Sequence, residues 1–311
     1  MNKPLISLCM PTNGVIEWVF PVLESIYNQR VNNELFEVVI TDNGNNTKFK
    51  KAIKEYLSAH TNIVYAETQA LPFMNEIESY KRASGLFIKF INHRTLLLPG
   101  ALDSFISFVM NNIEEKPFIY FGNGIINEIN GIKEYQNFND FVEGLSYWSS
   151  WSTGMAFWRE DFSKIMQDQD VEYNELFPHT DILFGFRNKK TYLIDNRMLL
   201  KELSDDGIPK GKYDLFYAFA VEYLYILLQL VRDGDLSVRS FNTIKAHNLL
   251  FIMEQYHAFV IKKRPCSYIL NNYLDSINVF YGQFVANWCY RRMRVQQVYQ
   301  KIKKIIKRKE R

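Results

Sequence analysis

Short apolar runs alternate with longer segments of helical periodicity through the first two hundred residues. Strands are predicted at 5–9, 36–41, 62–66, 86–91 and 118–121, and helices between them at 17–29, 47–59, 72–84 and 99–112. Apolar runs of this length, bounded by Pro, Gly or Asn, are typical of buried strands. Strands that alternate with helices predict an α/β fold with a mainly parallel sheet and helices on both faces.

The pattern changes after the fifth strand. A Gly-rich polar segment, 122–133, is predicted to form a hairpin, and further short strands are predicted at 154–158 and 191–194. From about residue 212 nearly every segment has helical periodicity, and the turn-rich run SDDGIPKGK precedes it. We therefore predict two domains, 1–205 and 206–311, of which the second is a helical accessory domain.

Three of the later segments are predicted as helices, at 213–232, 241–261 and 268–288. The apolar part of the first contains Glu222 and Gln229. It is also shorter than the roughly 20 apolar residues that a membrane span needs. We predict a buried helix there.

The composition is that of a folded chain, with 47% hydrophobic and 23% charged residues. The three cysteines, Cys9, Cys266 and Cys289, are widely spaced, which predicts neither a disulfide framework nor a zinc site. The N-terminal apolar run is too short for a signal peptide and breaks at Pro11. These features favour a cytoplasmic protein.

The net charge of +3 hides an asymmetry between the two ends of the chain. Residues 291–311 contain ten Lys or Arg and one Glu, whereas the rest of the chain has more acidic than basic residues. No nucleic-acid recognition motif accompanies this basic end, so we expect no nucleic-acid partner.

Polar residues follow three of the predicted parallel strands. Pro11 and Thr12 end the first strand, Asp42 and Asn43 end the second, and the run from Asn92 to Arg94 follows the fourth. In open α/β sheets ligands bind at the carboxyl ends of the strands. Each motif alone is also compatible with an ordinary turn.

Three motifs follow one another in the order SLCMPT, EVVITDNG some 25 residues later, and FIKFINHRTLLLPGAL. In this order of motifs the chain resembles the family 2 glycosyltransferases with the GT-A fold. Within that family it is similar to the enzymes that build O-antigens and capsules. The resemblance covers roughly residues 4–200. It implies an inverting enzyme that moves a sugar from a nucleoside-diphosphate sugar to a hydroxyl of a lipid-linked surface glycan. Pro11, Thr12, Asp42 and Asn43 would line the nucleotide pocket.

The chain departs from this family at the metal-binding DXD motif. Members usually carry aspartates that hold Mg²⁺ or Mn²⁺ on the diphosphate, whereas this chain has Asn92, His93 and Arg94. Asn92 is a weak oxygen ligand, and an imidazole suits Mg²⁺ poorly. The Arg94 guanidinium can bind phosphate oxygens in a bidentate manner. Three alternatives stay open: Arg94, with His93, replaces the metal; a metal uses altered ligands; or the site is not catalytic. We assign no metal ligand.

Two later segments extend the resemblance to the acceptor side. By resemblance, the segment from Trp151 to Asp161 precedes the acceptor site, and the acid of FPHTD, Asp181, is the catalytic base. Trp151 and His179 would contact the acceptor. As an alternative, FPHTD only begins a helix, with Asp181 stabilised in its first turn. Glu160 and Asp161 are weaker candidates for the base, because they resemble a helix N-terminus.

The last segment, 295–306, places apolar residues at helical spacing among lysines. A basic amphipathic helix is typical of a membrane surface, which predicts peripheral association with the inner face of the membrane. Packing on its own domain, or a homo-oligomer contact, is the alternative.

Two other functions stay open for the whole chain. The rival function is a degenerate transferase that binds a nucleotide, a glycan or a partner without catalysis; a phosphotransferase is a third hypothesis.

Overall fold

The computed structural model describes residues 3–167, 172–204 and 211–309, with side chains as far as Tyr299. The chain divides into two compact units, Met1–Asp205 and Asp206–Arg311. Most of the predicted boundary segment, and the side chains of the basic end after Tyr299, lie outside the described residues.

Ten strands form two sheets in the first unit. They are β1 (Ile6–Thr12), β2 (Phe36–Asp42), β3 (Ile63–Glu67), β4 (Phe87–Phe90), β5 (Thr95–Leu97), β6 (Phe118–Phe121), β7 (Ile132–Tyr135), β8 (Met155–Trp158), β9 (Tyr192–Asp195) and β10 (Leu200–Glu202). The main sheet has the order β3-β2-β1-β4-β8-β6-β9-β7, and β5 pairs with β10. The first four strands in that order are parallel, whereas β8 runs antiparallel to both of its neighbours.

The helices of this unit cover the main sheet. They are α1 (Ile16–Tyr27), α2 (Thr47–Leu57), α3 (Asn75–Arg82), α4 (Ala101–Asn111), α5 (Phe138–Leu145), α6 (Arg159–Ile165) and α7 (Pro178–Gly185). Every residue of β2 is buried, as expected for a strand covered on both faces. Helix α1 buries a stripe at Val19, Val22, Leu23 and Ile26. The predicted α/β fold with a mainly parallel sheet is confirmed.

One local prediction in this unit is wrong, and one helix begins later than predicted. Residues 122–133 do not form a hairpin with the preceding strand, because β9 lies between β6 and β7 and pairs with both. The helix predicted from residue 99 begins at Ala101, after Gly100 in the left-handed conformation with φ 81°. The leucines just before it form β5 instead, because β10 supplies them with a pairing strand that lies a hundred residues away in the chain.

The described part of the second unit, from residue 211 to residue 309, is helical. It contains α8 (Leu215–Tyr217), α9 (Tyr223–Asp233), α10 (Val238–Gln255), α11 (Tyr273–Phe280) and α12 (Gln283–Lys309), with π-helical turns at Ala218–Glu222 and Tyr256–Ile261. The segment 268–288, predicted as one helix, contains the helix α11 and the start of α12. Tyr281 and Gly282 separate the two helices.

One helical stretch among the described residues, Leu215–Asp233, is long and apolar enough to cross a membrane, with mean hydropathy 1.4. Half of that window is buried inside the unit. Tyr223, Leu224 and Leu227 are among its fully buried side chains. A core helix satisfies the same test of length and composition, and this burial matches the core helix that the sequence predicts.

Candidate functional site

The carboxyl ends of β1 and β2 place the first predicted site residues side by side. The parallel register pairs Pro11 with Thr41 and Thr12 with Asp42. The backbone N–H of Asn43 then donates to the carbonyl of Thr12 over 3.1 Å. Gly44 must be glycine here, because a Cβ would overlap the backbone of Asn13. The two turns therefore form one tightly joined edge.

The loop after β4 joins this edge through His93. Its Nδ1 lies 2.8 Å from the Thr12 hydroxyl oxygen, which also accepts from the N–H of Gly14. The imidazole ring meets the edge of the Trp18 ring at 5.0 Å. Burial lowers the pKa of His93 to about 3, and the nearby Arg94 contributes to that shift. His93 is thus a neutral ring that ties the ends of two strands together.

Arg94 is the cation of this edge. Its backbone N–H donates to Oδ1 of Asn92 over 3.2 Å, and its guanidinium carbon lies 5.7 Å from the Trp18 ring centre. The side chain is half-buried. Across the described ranges, no carboxylate lies within 4 Å of the guanidinium nitrogens. Arg94 is therefore a cation that has no acid partner among those residues and could meet an anion.

Asp42 is almost completely buried, with 1% exposure. Its Oδ1 accepts from the N–H of Gly44 over 2.8 Å, and its Oδ2 accepts from the Tyr65 hydroxyl over 3.0 Å. Burial raises its pKa, against the lowering effect of these two hydrogen bonds and of Lys50. A carboxylate has about four acceptor positions, of which two are filled here. Asp42 nevertheless presents almost no surface to a ligand, so its contact with a nucleotide stays a prediction.

These residues do not fit a divalent cation. Asn92 Oδ1 already accepts a backbone N–H, His93 Nδ1 contacts Thr12, and Arg94 brings a positive charge. Within the described ranges no group of three or more His, Cys, Asp or Glu side chains is placed to hold a metal ion. Mg²⁺ and Mn²⁺ prefer several oxygen ligands, and this edge does not offer them.

Helix α3 connects the strand ends to helix α7. Asn75, at the start of α3, donates from Nδ2 to the carbonyls of Thr41 over 2.8 Å and Thr12 over 3.3 Å. The next residue, Glu76, places Oε1 3.3 Å from Nδ1 of His179 in α7. All three connecting side chains are buried. A buried polar path therefore runs from the carboxyl ends of β1 and β2 to the helix that carries Asp181.

His179 anchors α7 to the aromatic loop 147–154. Its Nε2–H donates to the carbonyl of Ser150 over 2.9 Å, and Thr180 donates to the carbonyl of Ser149 over 3.1 Å. Burial lowers the pKa of His179, but Glu76, the Ser150 carbonyl and Asp181 raise it, and the net shift is upward. With 4% exposure, His179 positions this loop. Its direct contact with an acceptor stays a prediction that this geometry does not favour.

Asp181 lies in the first turn of α7 and is half-buried. Its Oδ2 accepts from the backbone N–H of Asn174 over 2.6 Å, which orients the carboxylate. The alternative acids are engaged in ion pairs on α6. Glu160 bonds Lys116 and Lys164, which lower its pKa to about 2, and Asp161 pairs with Lys189. A carboxylate with so low a pKa is a poor base, so Asp181 stays the candidate.

The Tyr120 hydroxyl fixes the aromatic loop through two of its backbone carbonyls. This hydroxyl lies 2.5 Å from the carbonyl of Trp148 and 2.7 Å from that of Trp151. The Trp151 ring is half-buried and meets Trp148 edge-on at 6.5 Å. Its contact with an acceptor stays a prediction; a partly exposed aromatic ring on a fixed loop has a face on which a sugar could stack.

Sequence reasoning missed Asn75, Glu76, Lys89 and Tyr120. A signal existed for Lys89, because it is a charged residue inside the apolar run of β4, and a buried charge must find partners. Asn75 and Glu76 begin an ordinary amphipathic helix, and nothing in their spacing distinguishes them from solvent-facing residues.

No family model matches the chain, and no curated protein matches it. Solved structures do match. The S. aureus TarS 1–349 complex with UDP-GlcNAc is similar over 88% of this chain and 80% of that chain, at 14% identity and TM-score 0.59. The complex of the same protein with UDP covers 95% and 91%, also at 14% identity and TM-score 0.59. At this identity the likeness establishes the fold. The chain has the GT-A fold of glycosyltransferases.

Proposed function

We propose that this chain is an inverting glycosyltransferase that uses a nucleoside-diphosphate sugar as donor and a hydroxyl of a lipid-linked surface glycan as acceptor. The observation that supports it best is the joined edge of β1, β2 and the loop after β4, linked through α3 to the helix of Asp181. The shared fold with TarS, whose structure holds UDP-GlcNAc, favours the same class of donor.

The donor would lie along the strand ends. Asp42 and Thr12, with Pro11 and Asn43, would hold the nucleoside, since a carboxylate can accept from a base N–H or a ribose hydroxyl. Arg94 would bind the diphosphate, because a guanidinium donates two parallel hydrogen bonds to phosphate and stays charged at any physiological pH. It would thereby stabilise the charge that develops on the leaving group.

Asp181 would act on the acceptor. Its carboxylate takes the proton of the acceptor hydroxyl as the oxygen attacks the anomeric carbon. The bond from that carbon to the diphosphate oxygen breaks, and the nucleoside diphosphate leaves from the opposite face with the bonding pair. The anomeric configuration inverts, which requires the base and the leaving group on opposite sides of the sugar.

The first test is a thermal-shift panel of UDP, GDP, CDP and dTDP, each with Mg²⁺, Mn²⁺ or EDTA. A ligand that binds only the folded protein raises the apparent melting temperature. We expect one nucleotide to give a shift that survives EDTA. A shift that requires a metal would contradict the role of Arg94, and no shift with any nucleotide would contradict donor binding.

The second test separates catalysis from binding. Asp181→Asn should reduce donor hydrolysis and transfer by about 100-fold or more, as expected for a lost general base, while the nucleotide shift is unchanged. Asp103→Asn, at an exposed position of α4, is the matched control. Hydrolysis that persists in Asp181→Asn assigns the base elsewhere.

The third test addresses the cation. Arg94→Ala should weaken nucleoside diphosphate binding more than nucleoside binding, and Lys51→Ala, with a side chain 83% exposed, is the control. Equal effects on the two ligands would contradict a contact with the diphosphate.

We propose that the chain is a peripheral protein at the cytoplasmic face of the membrane. The basic end of α12 would bind it to that surface. Val295, Val298 and Tyr299 are 69%, 50% and 62% exposed on that helix, which supports an apolar surface. Replacing Lys301, Lys303 and Lys304 by Gln should reduce sedimentation with anionic vesicles. A monomer–dimer shift in the same variant, measured by ultracentrifugation, would favour the alternative of self-association.

A non-catalytic binding protein is the second candidate function, and the absence of an acidic residue from Asn92 to Arg94 favours it. It predicts a nucleotide-dependent thermal shift without donor hydrolysis. Hydrolysis that disappears in Asp181→Asn would exclude it.

A further inference from the structure

The helical unit contains a basic pocket of its own. The pocket has a volume of about 510 Å³, within the range typical of small-molecule sites. Its lining comes from α10 and the π-helical turn after it, from the loop that follows, and from α12. The lining residues are Glu254, His257, Ala258, Lys262, Arg264, Arg294 and Gln297.

The backbone around the pocket is built by an irregular helix end. After the π-helical turn, the N–H of Lys262 donates to the carbonyl of His257 over 2.9 Å, and that of Arg264 donates to Ala258 over 3.1 Å. Between them Lys263 has φ 49°, a left-handed conformation that is uncommon for residues other than glycine. This reversal carries Lys262 and Arg264 to the same pocket, and π-helical turns are frequent at functional sites.

The charge of the pocket is unbalanced. Lys262, Arg264 and Arg294 supply three cations, and Glu254 supplies one acid. In the part of the chain that the structure describes, no carboxylate lies within 4 Å of any of the three cationic groups. Like charges gathered in a concave surface repel one another, so an anion bound there would relieve the repulsion.

Two side chains of the pocket are hydrogen-bonded to other side chains of α12. Arg294 donates from one terminal nitrogen to Oε1 of Gln297 over 2.6 Å, which leaves further N–H groups of its planar fork for a ligand. His257 places Nδ1 2.9 Å from the hydroxyl of Tyr290. Two guanidinium groups line this one cavity. They suit a phosphate group better than an uncharged ligand, because each guanidinium can form paired charge-assisted hydrogen bonds with phosphate oxygens.

We propose that this pocket binds a phosphate-bearing ligand, either a phosphomonoester or a diphosphate. Its volume exceeds that of inorganic phosphate, so the phosphate group belongs to a larger molecule. An anionic lipid headgroup and a soluble diphosphate share this chemistry. Exposed Val295 and Val298 lie next to Arg294 and Gln297 along α12, so an acyl chain would have an apolar surface beside the pocket.

The test compares two variants with the same change in charge. Arg264→Gln/Arg294→Gln removes two cations that line the pocket, and Arg239→Gln/Arg291→Gln removes two exposed cations of α10 and α12 that do not line it. Calorimetric titration with inorganic pyrophosphate should show saturable binding to the wild-type chain. The pocket variant should bind at least about tenfold more weakly, since each charge-assisted hydrogen bond contributes on that scale, and the control should match the wild type.

A vesicle arm identifies the source of the phosphate. Sedimentation with phosphatidate vesicles is compared with phosphatidylserine vesicles of equal surface charge. A preference for phosphatidate that the pocket variant abolishes supports the proposal and assigns a lipid headgroup. Pyrophosphate binding without that preference supports it and assigns a soluble ligand.

Two results overturn the proposal: no saturable binding of pyrophosphate and no phosphatidate preference in the wild type, or equal losses in both double variants, which would mean diffuse charge. Should the pocket variant not fold, Lys262→Gln repeats the test with one exposed side chain. Because Arg94 is proposed to bind a diphosphate as well, the titrations are repeated in the Arg94→Ala background, and only the binding that the pocket variant loses there is assigned to this pocket. A failure of the pocket proposal is thereby separated from a failure of the proposed function.

Discussion

Lys89 offers a sharp test of how the site is held together. It lies in β4 with no exposed surface, and its Nζ donates to the carbonyls of Phe90 over 2.9 Å, Thr153 over 2.6 Å and Met155 over 3.3 Å. An ammonium group has three N–H donors, which equals the number of carbonyls. Lys89 therefore joins the strand that leads to Arg94 to the end of the aromatic loop.

The substitution Lys89→Met keeps most of the volume and removes every donor. Each buried carbonyl left without a partner costs about 1–3 kcal/mol. Part of this loss is offset, because the variant no longer buries an ammonium group, whose desolvation costs several kcal/mol. We expect a net loss of about 3 kcal/mol, concentrated where β4 and β8 meet.

Hydrogen exchange followed by mass spectrometry measures this loss locally. Peptides that cover β4 and residues 149–158 should exchange about 100-fold faster, since 1.4 kcal/mol corresponds to a factor of ten. Peptides of α10, in the second unit, serve as an internal reference. Lys51→Met, at an exposed position, is the matched control. Wild-type exchange rates in the β4 and β8 peptides of Lys89→Met would refute this reasoning.

The same residue makes a prediction about pH. Burial lowers the pKa of Lys89 to about 7, whereas an unfolded lysine has a pKa of about 10.4. Between these values the unfolded chain binds more protons than the folded chain, so stability rises with pH over this window. The wild type should gain stability relative to Lys89→Met from pH 7 to pH 9, by up to about 1.4 kcal/mol per pH unit. If the difference in urea midpoint between the wild type and Lys89→Met did not change with pH, Lys89 would stay protonated in the folded chain, held so by its three carbonyl partners.

Three further substitutions test other contacts. Gly154→Ala places a Cβ against the buried Tyr120 ring and should cost about 3 kcal/mol in urea unfolding; a neutral effect would contradict this close packing. Glu76→Gln should lower the pKa of His179 in an NMR titration, because the carboxylate helps to raise it; an unchanged pKa would disprove the pairing. Asn248→Leu removes the donor to the Phe219 carbonyl and should cost about 2 kcal/mol, seen as faster exchange in the π-helical turn Ala218–Glu222 and in α10 but not in β1.

Sequence alone determined the class of the fold and the polar residues that end its first strands. Strand and helix periods are local properties, so β1 to β4 and the helices between them could be predicted from their apolar spacing. Parallel strands also place their carboxyl ends at one edge. Thr12, Asp42 and His93 could therefore be assigned to the carboxyl ends of predicted parallel strands, where ligands bind in open α/β sheets.

Tertiary structure alone decided the strand order beyond β4 and the role of the buried polar residues. The insertion of β8 between β4 and β6, and of β9 between β6 and β7, depends on pairings between distant segments, which no local pattern encodes. For the same reason, Glu76 and Lys89 have no recognisable partners in the sequence. Hydrophobic periodicity specifies which face of an element is buried, but only packing determines which polar group that face meets.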